Sequence, residues 1–343
     1  MIKRNPYKLR HVPHFKLALI GFGNVHRALL QLLERKRLEL RTQHDLTFSV
    51  TGVYWRRMGF LADSNGFDIP ALLEGRVTAP LADSLHDWLE SAAPTLLFEA
   101  SSLDPFTGQP AIFYIQAALE RGIHVVTANK GPIVHASHAL LELARAQGVK
   151  FRFEATFMGG SPIYSLLREC LPAAKLLRFQ GLPNGTTTMI LEAIEEGLSF
   201  EAGVERAQEF GIAETDPSFD VDGWDSVVKI IGLANTVMGA KIGINDVERI
   251  GIRDLPLEQI RAAKRNGTPI RLVATLEPDG DTVRASVKPT RLEAGSAMAG
   301  IGGSDMMARL EFDVLPALEI VTRGAGASET AYDMLADFID IAR

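Results

Sequence analysis

The stretch "AETDPSFDVDGWDSVVK", residues 213 to 229, gathers five acidic side chains and one lysine within a short span. Grouped carboxylates can hold an ammonium, and a lysine can hold an oxyanion or exchange a proton with it. Two readings fit the spacing. In one, the run is a solvated loop capped by Asp222, with Asp225 and Lys229 an i,i+4 helix pair worth roughly 0.3–0.5 kcal/mol. In the other, that spacing sets Asp225 and Lys229 on one helical face, and the turn at Asp216-Pro217 folds Glu214 back toward them. Asp216, Asp220 and Asp222 read as turn and cap residues in either case.

A second lysine, Lys130, closes "HVVTANKG" at the carboxyl edge of a strand pattern, where open α/β sheets place their ligands. There it can hold an anion or donate a proton, or it can simply belong to a turn. In "LALIGFGNVHRAL", Gly21 and Gly23 stand where a strand turns into a helix, so that backbone N–H groups can approach a phosphate at the positive helix end. The third position of the G-x-G-x-x-G pattern is His26, whose ring is expected to press where close helix-to-strand packing is wanted. After the second strand pattern, "VYWRRMG" offers Arg56 and Arg57 in place of the acid that binds a ribose diol. Guanidinium groups there suit the 2′-phosphate of NADP; two surface arginines are the alternative.

The elements that must position these residues follow from periodicity. "FKLALIGFGNVHRALLQLLERKRLEL" runs from strand to helix, and "LTFSVTGVYWRR", "PTLLFEASS" and "GIHVVTANKG" add strands separated by helices such as "AIFYIQAALERG". This alternation predicts a Rossmann-like, doubly wound parallel sheet over the first ~150 residues. Beyond Pro162, long helical patterns and a hairpin at "DGD" predict a second α+β domain.

Composition narrows the classes. The 343 residues are 46% hydrophobic and carry a net charge of -6, which suits a soluble two-domain protein and disfavours nucleic-acid or anionic-membrane partners. The basic opening, "MIKRNPYKLRHVPHFK", is too short to alter this and lacks the apolar core of a signal peptide, so a cytoplasmic protein is expected. A single cysteine, Cys170, excludes a disulfide framework and reads as a small buried apolar residue. Asn184 and Asn266, in two Asn-Gly-Thr triplets, read as turns.

"TANKG", "GLPNGTTTMIL" and "ETDPSFDVDGWDSVVK", in that order, make the chain resemble the homoserine dehydrogenase family across nearly its whole length. The resemblance implies NAD(P)-dependent interconversion of aspartate 4-semialdehyde and homoserine, in threonine and methionine biosynthesis. It also implies a homodimer built through the second domain's sheet, and a short form without a regulatory or aspartate kinase domain. It puts the proton donor and acceptor on Lys229, a lysine beside cofactor and substrate on Lys130, and substrate binding on Glu214 and Asp225. The expected cofactor set is Gly21, Gly23, Asn24, Val25, Arg56, Arg57, Ser101, Lys130 and Gly324, with NADP preferred over NAD. A sodium site is implied at Glu154 with carbonyls of Phe157, Gly159 and Ser161. The expected units are 1–152, joined by 319–343, for the dinucleotide and 153–318 for catalysis and dimerisation. Departures at His26, Pro183 and Thr188 leave open a dehydrogenase for another amino-aldehyde, and a catalytically silent NADP-binding regulator.

Overall fold

A computed structural model describes residues 12–280, 282–324 and 326–343, so the basic opening lies outside the described residues up to position 11. The run Leu17–Ile20 is fully buried within β1 (His14–Ile20), since a parallel strand covered on both faces needs apolar residues without alternation. With β2 (Thr47–Trp55), β3 (Gly59–Ala62), β4 (Leu81–Ala82), β5 (Leu96–Glu99), β6 (His124–Thr127) and β7 (Phe151–Arg152) it forms a seven-stranded sheet, β4-β3-β2-β1-β5-β6-β7. β2, β1, β5, β6 and β7 are parallel, while β3 and β4 fold back antiparallel. The first unit's helices are α1 (Asn24–Gln43), α2 (Ile69–Leu73), α3 (Leu85–Ala92), α4 (Ala111–Leu119) and α5 (Lys130–Ala146). Because the chain leaves β1 toward β2 and later returns on its other side as β5, a crevice opens beyond their carboxyl ends.

The second unit contains α6 (Ile163–Ser165), β8 (Leu176–Leu182), α7 (Gly185–Glu195), α8 (Phe200–Glu209), α9 (Ser218–Val221) and α10 (Trp224–Val237). It continues through β9 (Val247–Arg249), α11 (Leu257–Arg265), β10 (Ile270–Asp279), β11 (Thr282–Arg291), β12 (Met306–Phe312) and β13 (Leu318–Thr322). These strands form one six-stranded sheet, β13-β12-β8-β10-β11-β9. The "DGD" hairpin joins β10 to β11, with Asp279 paired to Thr282. In α10 every residue from Asp225 to Asn235 is buried, so its charged side chains must find partners.

The chain returns to the first unit through α12 (Ala327–Ala342), whose Met334 and Phe338 are fully buried against β1 and α1. Each such side chain contributes roughly 1.5–3 kcal/mol. Residue 319, the expected return point, falls inside β13, which pairs with β12 in the second sheet. Cys170 corrects another expectation: it is exposed, because it ends a π-helical turn, Leu166–Cys170, that buries none of its residues.

Candidate active site

The Gly21 turn is held from two sides. Its N–H donates to the Tyr54 carbonyl (3.0 Å), and its φ of +87° is paired with a wall so close that a Cβ would meet the Ala100 oxygen at 2.3 Å. Only glycine fits there. Gly23, the N-cap of α1, faces open space instead. Together with Arg56, Arg57 and Ser101, these glycines line a cleft of about 550 Å³. Phe22 stacks on Trp55 at 4.7 Å beside them.

At the far wall, Ser101 donates to Glu99 through both its N–H (2.8 Å) and its hydroxyl (2.5 Å), and Thr127 donates to the other Glu99 oxygen (2.6 Å). Burial raises the Glu99 pKa against these hydrogen bonds. Glu99 therefore ties the ends of β5 and β6, a role that its place in an apolar run did not announce. Asn129 caps α5 by accepting from Gly131 (3.1 Å), which sets Lys130 at the helix start.

Lys130, Glu214, Asp225 and Lys229 meet around a second cleft of about 360 Å³. Asp225 stands between the lysines, 2.7 Å from Lys229 and 3.3 Å from Lys130. Lys229 also donates to the Pro183 carbonyl (2.6 Å), so the proline that interrupts the expected pattern supplies an acceptor through its free oxygen. Burial acts to raise the Asp225 pKa, but the two lysines outweigh it and hold the carboxyl well below its usual range. Burial lowers the Lys229 pKa, with Lys130 acting in the same direction and Asp225 against it. The carboxylate of exposed Glu214 has no partner among the described residues.

Two residues expected only as turn or cap residues belong to the site. Asn184 is the N-cap of α7, accepting from Thr187 (3.0 Å), while its amide donates to Asp225 (2.9 Å) and Asp220 (2.7 Å). The N-cap signature of an asparagine before a helical run could have singled it out. Asp220, expected as a turn or cap residue, lines this second cleft, and burial together with the Asp225 charge raises its pKa to about 6. Asp222 is corrected as well: the N-cap of α10 is Gly223, with no side-chain cap, and Asp222 holds Arg253 with both oxygens (2.9 and 3.1 Å). Asp216 does shape a turn, accepting from Ser218 (3.0 Å). Thr188 is buried in α7 with its hydroxyl donating to the Asn184 carbonyl (3.3 Å).

The units also touch beside the site. Phe106, on the loop after β5, lies edge-on to Trp224 at 5.8 Å, and the Arg249 guanidinium sits 3.9 Å from the same indole.

Other expected residues lie elsewhere. Asn24 and Val25 open α1 without lining the glycine cleft, and Gly324 lines neither cleft, its N–H being taken by Asp305 (3.1 Å). Both Glu154 oxygens accept backbone N–H groups, from Tyr164 (2.8 Å) and Ser165 (2.7 Å), and the Ser161 carbonyl accepts from Ile163 (2.8 Å). Phe157 and Gly159 border the second cleft. No cluster of three His, Cys, Asp or Glu side chains suited to a metal occurs among the described residues.

Comparison with known proteins bears on the family and the fold. The sequence profile of the homoserine dehydrogenase family matches residues 162–339, and that of its NAD binding domain matches residues 21–154. A NAD(+)-dependent homoserine dehydrogenase of Pseudomonas canavaninivorans is 35% identical over 95% of this chain and 96% of its own. The homoserine dehydrogenase of Methanocaldococcus jannaschii is 33% identical over 95% and 98%. Among solved structures, a putative homoserine dehydrogenase of Archaeoglobus fulgidus superimposes with a TM-score of 0.84 at 32% identity, covering 95% of this chain and 99% of that one. A hyperthermophilic archaeal homoserine dehydrogenase in complex with NADPH reaches 0.81 at 28% identity, covering 96% and 98%. By profile, by full-length relatives and by fold, the chain belongs to the homoserine dehydrogenase family.

Proposed function

We propose that the two clefts form one reaction site in which homoserine and aspartate 4-semialdehyde are interconverted, with Lys229 moving the proton at the substrate's hydroxyl oxygen. The observation that carries this assignment is the buried Lys229-Asp225-Lys130 arrangement. A nicotinamide cofactor bound along the glycine cleft would supply or accept the hydride. Its fit rests on the open space at Gly23 and the close seat of Gly21. On oxidation, the neutral Lys229 amine takes the hydroxyl proton; on reduction, the ammonium stabilises the oxyanion and returns it. Burial and the neighbouring Lys130 favour the neutral amine, while Asp225 keeps the ammonium accessible, so the group can serve both directions. Asp225 thus orders the lysines, and Asp220 and Glu214 are left to receive the substrate's α-ammonium.

Arg56 and Arg57, both exposed at the cleft's edge, favour NADP over NAD through the 2′-phosphate. The expected sodium ion at Glu154 would share oxygens that already accept N–H groups, and no step runs through it. A homodimer would form through the second sheet, and the enzyme would work in the cytoplasm.

The test is homoserine oxidation followed by absorbance of the reduced nicotinamide, with both cofactors. Wild-type protein should turn over, and Lys229→Ala should lose at least ~100-fold in kcat while still binding cofactor. Near-normal turnover by that variant would remove Lys229 from the mechanism.

A further inference from the structure

We infer that His26 is a positioning residue for the cofactor: by holding the Gly21 carbonyl inward, it turns the Phe22 N–H out toward the pyrophosphate. The inference rests on the glycine cleft being the cofactor site. His26 occupies the place where the fingerprint has its third glycine, on the first turn of α1. Its ring is fully buried, and Nδ1 lies 2.5 Å from the Gly21 oxygen. A carbonyl oxygen can only accept, so Nδ1 carries the proton and donates. Nε2 is then an acceptor, and it has no partner among the described residues. A role in packing alone would be met by an apolar side chain without that orphaned nitrogen. Burial lowers the ring's pKa to about 4 against the pull of the Gly21 carbonyl, so the ring is neutral at neutral pH.

Peptide geometry carries the next step. In a planar trans peptide the C=O of one residue and the N–H of the next point in opposite directions. With the Gly21 carbonyl drawn toward the buried ring, the Phe22 N–H points away from it, toward the side where Gly21, Phe22 and Gly23 line the cleft. The N–H groups of Phe22, Gly23 and Asn24 make no hydrogen bond within the described residues. A Cβ at Gly23 would meet nothing within 4 Å, so a phosphate can approach them. On its other side the turn is fixed by the Gly21 N–H to Tyr54 and by the Ala100 wall, which leaves the carbonyl as the part that His26 orients.

The test compares wild type with His26→Leu, which fills the space without donating, and His26→Asn, whose side-chain N–H replaces Nδ1–H. NADPH and NADH affinities would be titrated by nucleotide fluorescence, alongside thermal melts of the free proteins and kcat at saturating cofactor. His26→Leu should fold as well as wild type and bind both nucleotides roughly 10- to 100-fold more weakly, as expected for one lost hydrogen bond to a charged group. Its kcat should be retained, and His26→Asn should recover most of the affinity. Wild-type affinity in His26→Leu, or equal losses in Leu and Asn, would overturn the inference. If His26→Leu does not fold, His26→Ala takes its place in the comparison with Asn. Gly23→Val separates the inference from the reading beneath it, since that side chain enters the open cleft. Wild-type binding by Gly23→Val would reject the cofactor site itself. Loss of binding there with full binding by His26→Leu would reject only the positioning role.

Discussion

Replacing Asp225 by asparagine removes the carboxylate that pairs with both lysines, and the consequence can be worked from the distances. Asp225 lies 2.7 Å from Lys229 and 3.3 Å from Lys130, with an exposure of 8%. At an effective dielectric of about 20, unit charges 4 Å apart attract by ~4 kcal/mol, and removing one partner of a buried pair costs roughly 3–5 kcal/mol. One pH unit corresponds to about 1.4 kcal/mol. Lys229 can relieve the loss by shedding its proton, since burial and Lys130 already favour the neutral amine. If Lys229 is the base proposed above, homoserine oxidation needs that amine, and its rate should rise with pH through the lysine titration. In Asp225→Asn this rising limb should move down by at least about two pH units, while aldehyde reduction near neutral pH falls for want of the ammonium. The assay is kcat/KM in both directions over about pH 5 to 10, with circular dichroism to verify folding. A limb that stays in place, or moves upward, in a folded variant would refute the assignment of Asp225 as the organiser of Lys229.

Three further outcomes follow from the same geometry. Asp220, with its pKa raised to about 6, favours the fold while protonated; that contribution is complete below about pH 4 and is lost as pH rises through about 6. Asp220→Asn should therefore be more stable than wild type above that range, on the order of 2 kcal/mol, yet show a higher KM for homoserine; a pH-independent stability gap in thermal melts would contradict this. Arg56→Ala with Arg57→Ala should weaken NADP roughly 10- to 100-fold and leave NAD nearly unchanged, whereas equal losses for both cofactors would reject the 2′-phosphate contact. Gly21→Ala should cost at least about 1–3 kcal/mol and abolish cofactor binding, because the new Cβ meets the Ala100 oxygen at a positive φ; a stable, binding variant in calorimetry would count against the closeness of that wall.

Much was legible in local order. The strand-turn-helix at Gly21, the alternating strands and helices of the first unit, and the Asp225-Lys229 spacing on α10 depend on neighbours within a turn or two, where side-chain type and period carry the information. The ordered "TANKG", "PNGTT" and acidic segments were enough to indicate the family and the two lysines. The short strands β3, β4 and β13 went unread, since so few residues carry no repeated pattern. Cys170 was misread because apolar neighbours in sequence do not prevent a turn from facing solvent.

What tertiary structure alone decided was the division of labour among the charges. Read along the chain, Asp220 and Asp225 are two acids in a run. In space, Asn184 from another helix joins them, Lys130 from the first unit reaches Asp225, and the Pro183 carbonyl engages Lys229. Partner and burial set whether a carboxyl is held below or above its usual range, and both come from residues distant in sequence. The sequence by itself determined which groups were available for acid, base and phosphate recognition. The packing of two units against each other decided which acid lies between the lysines and which acids line the cleft beside them.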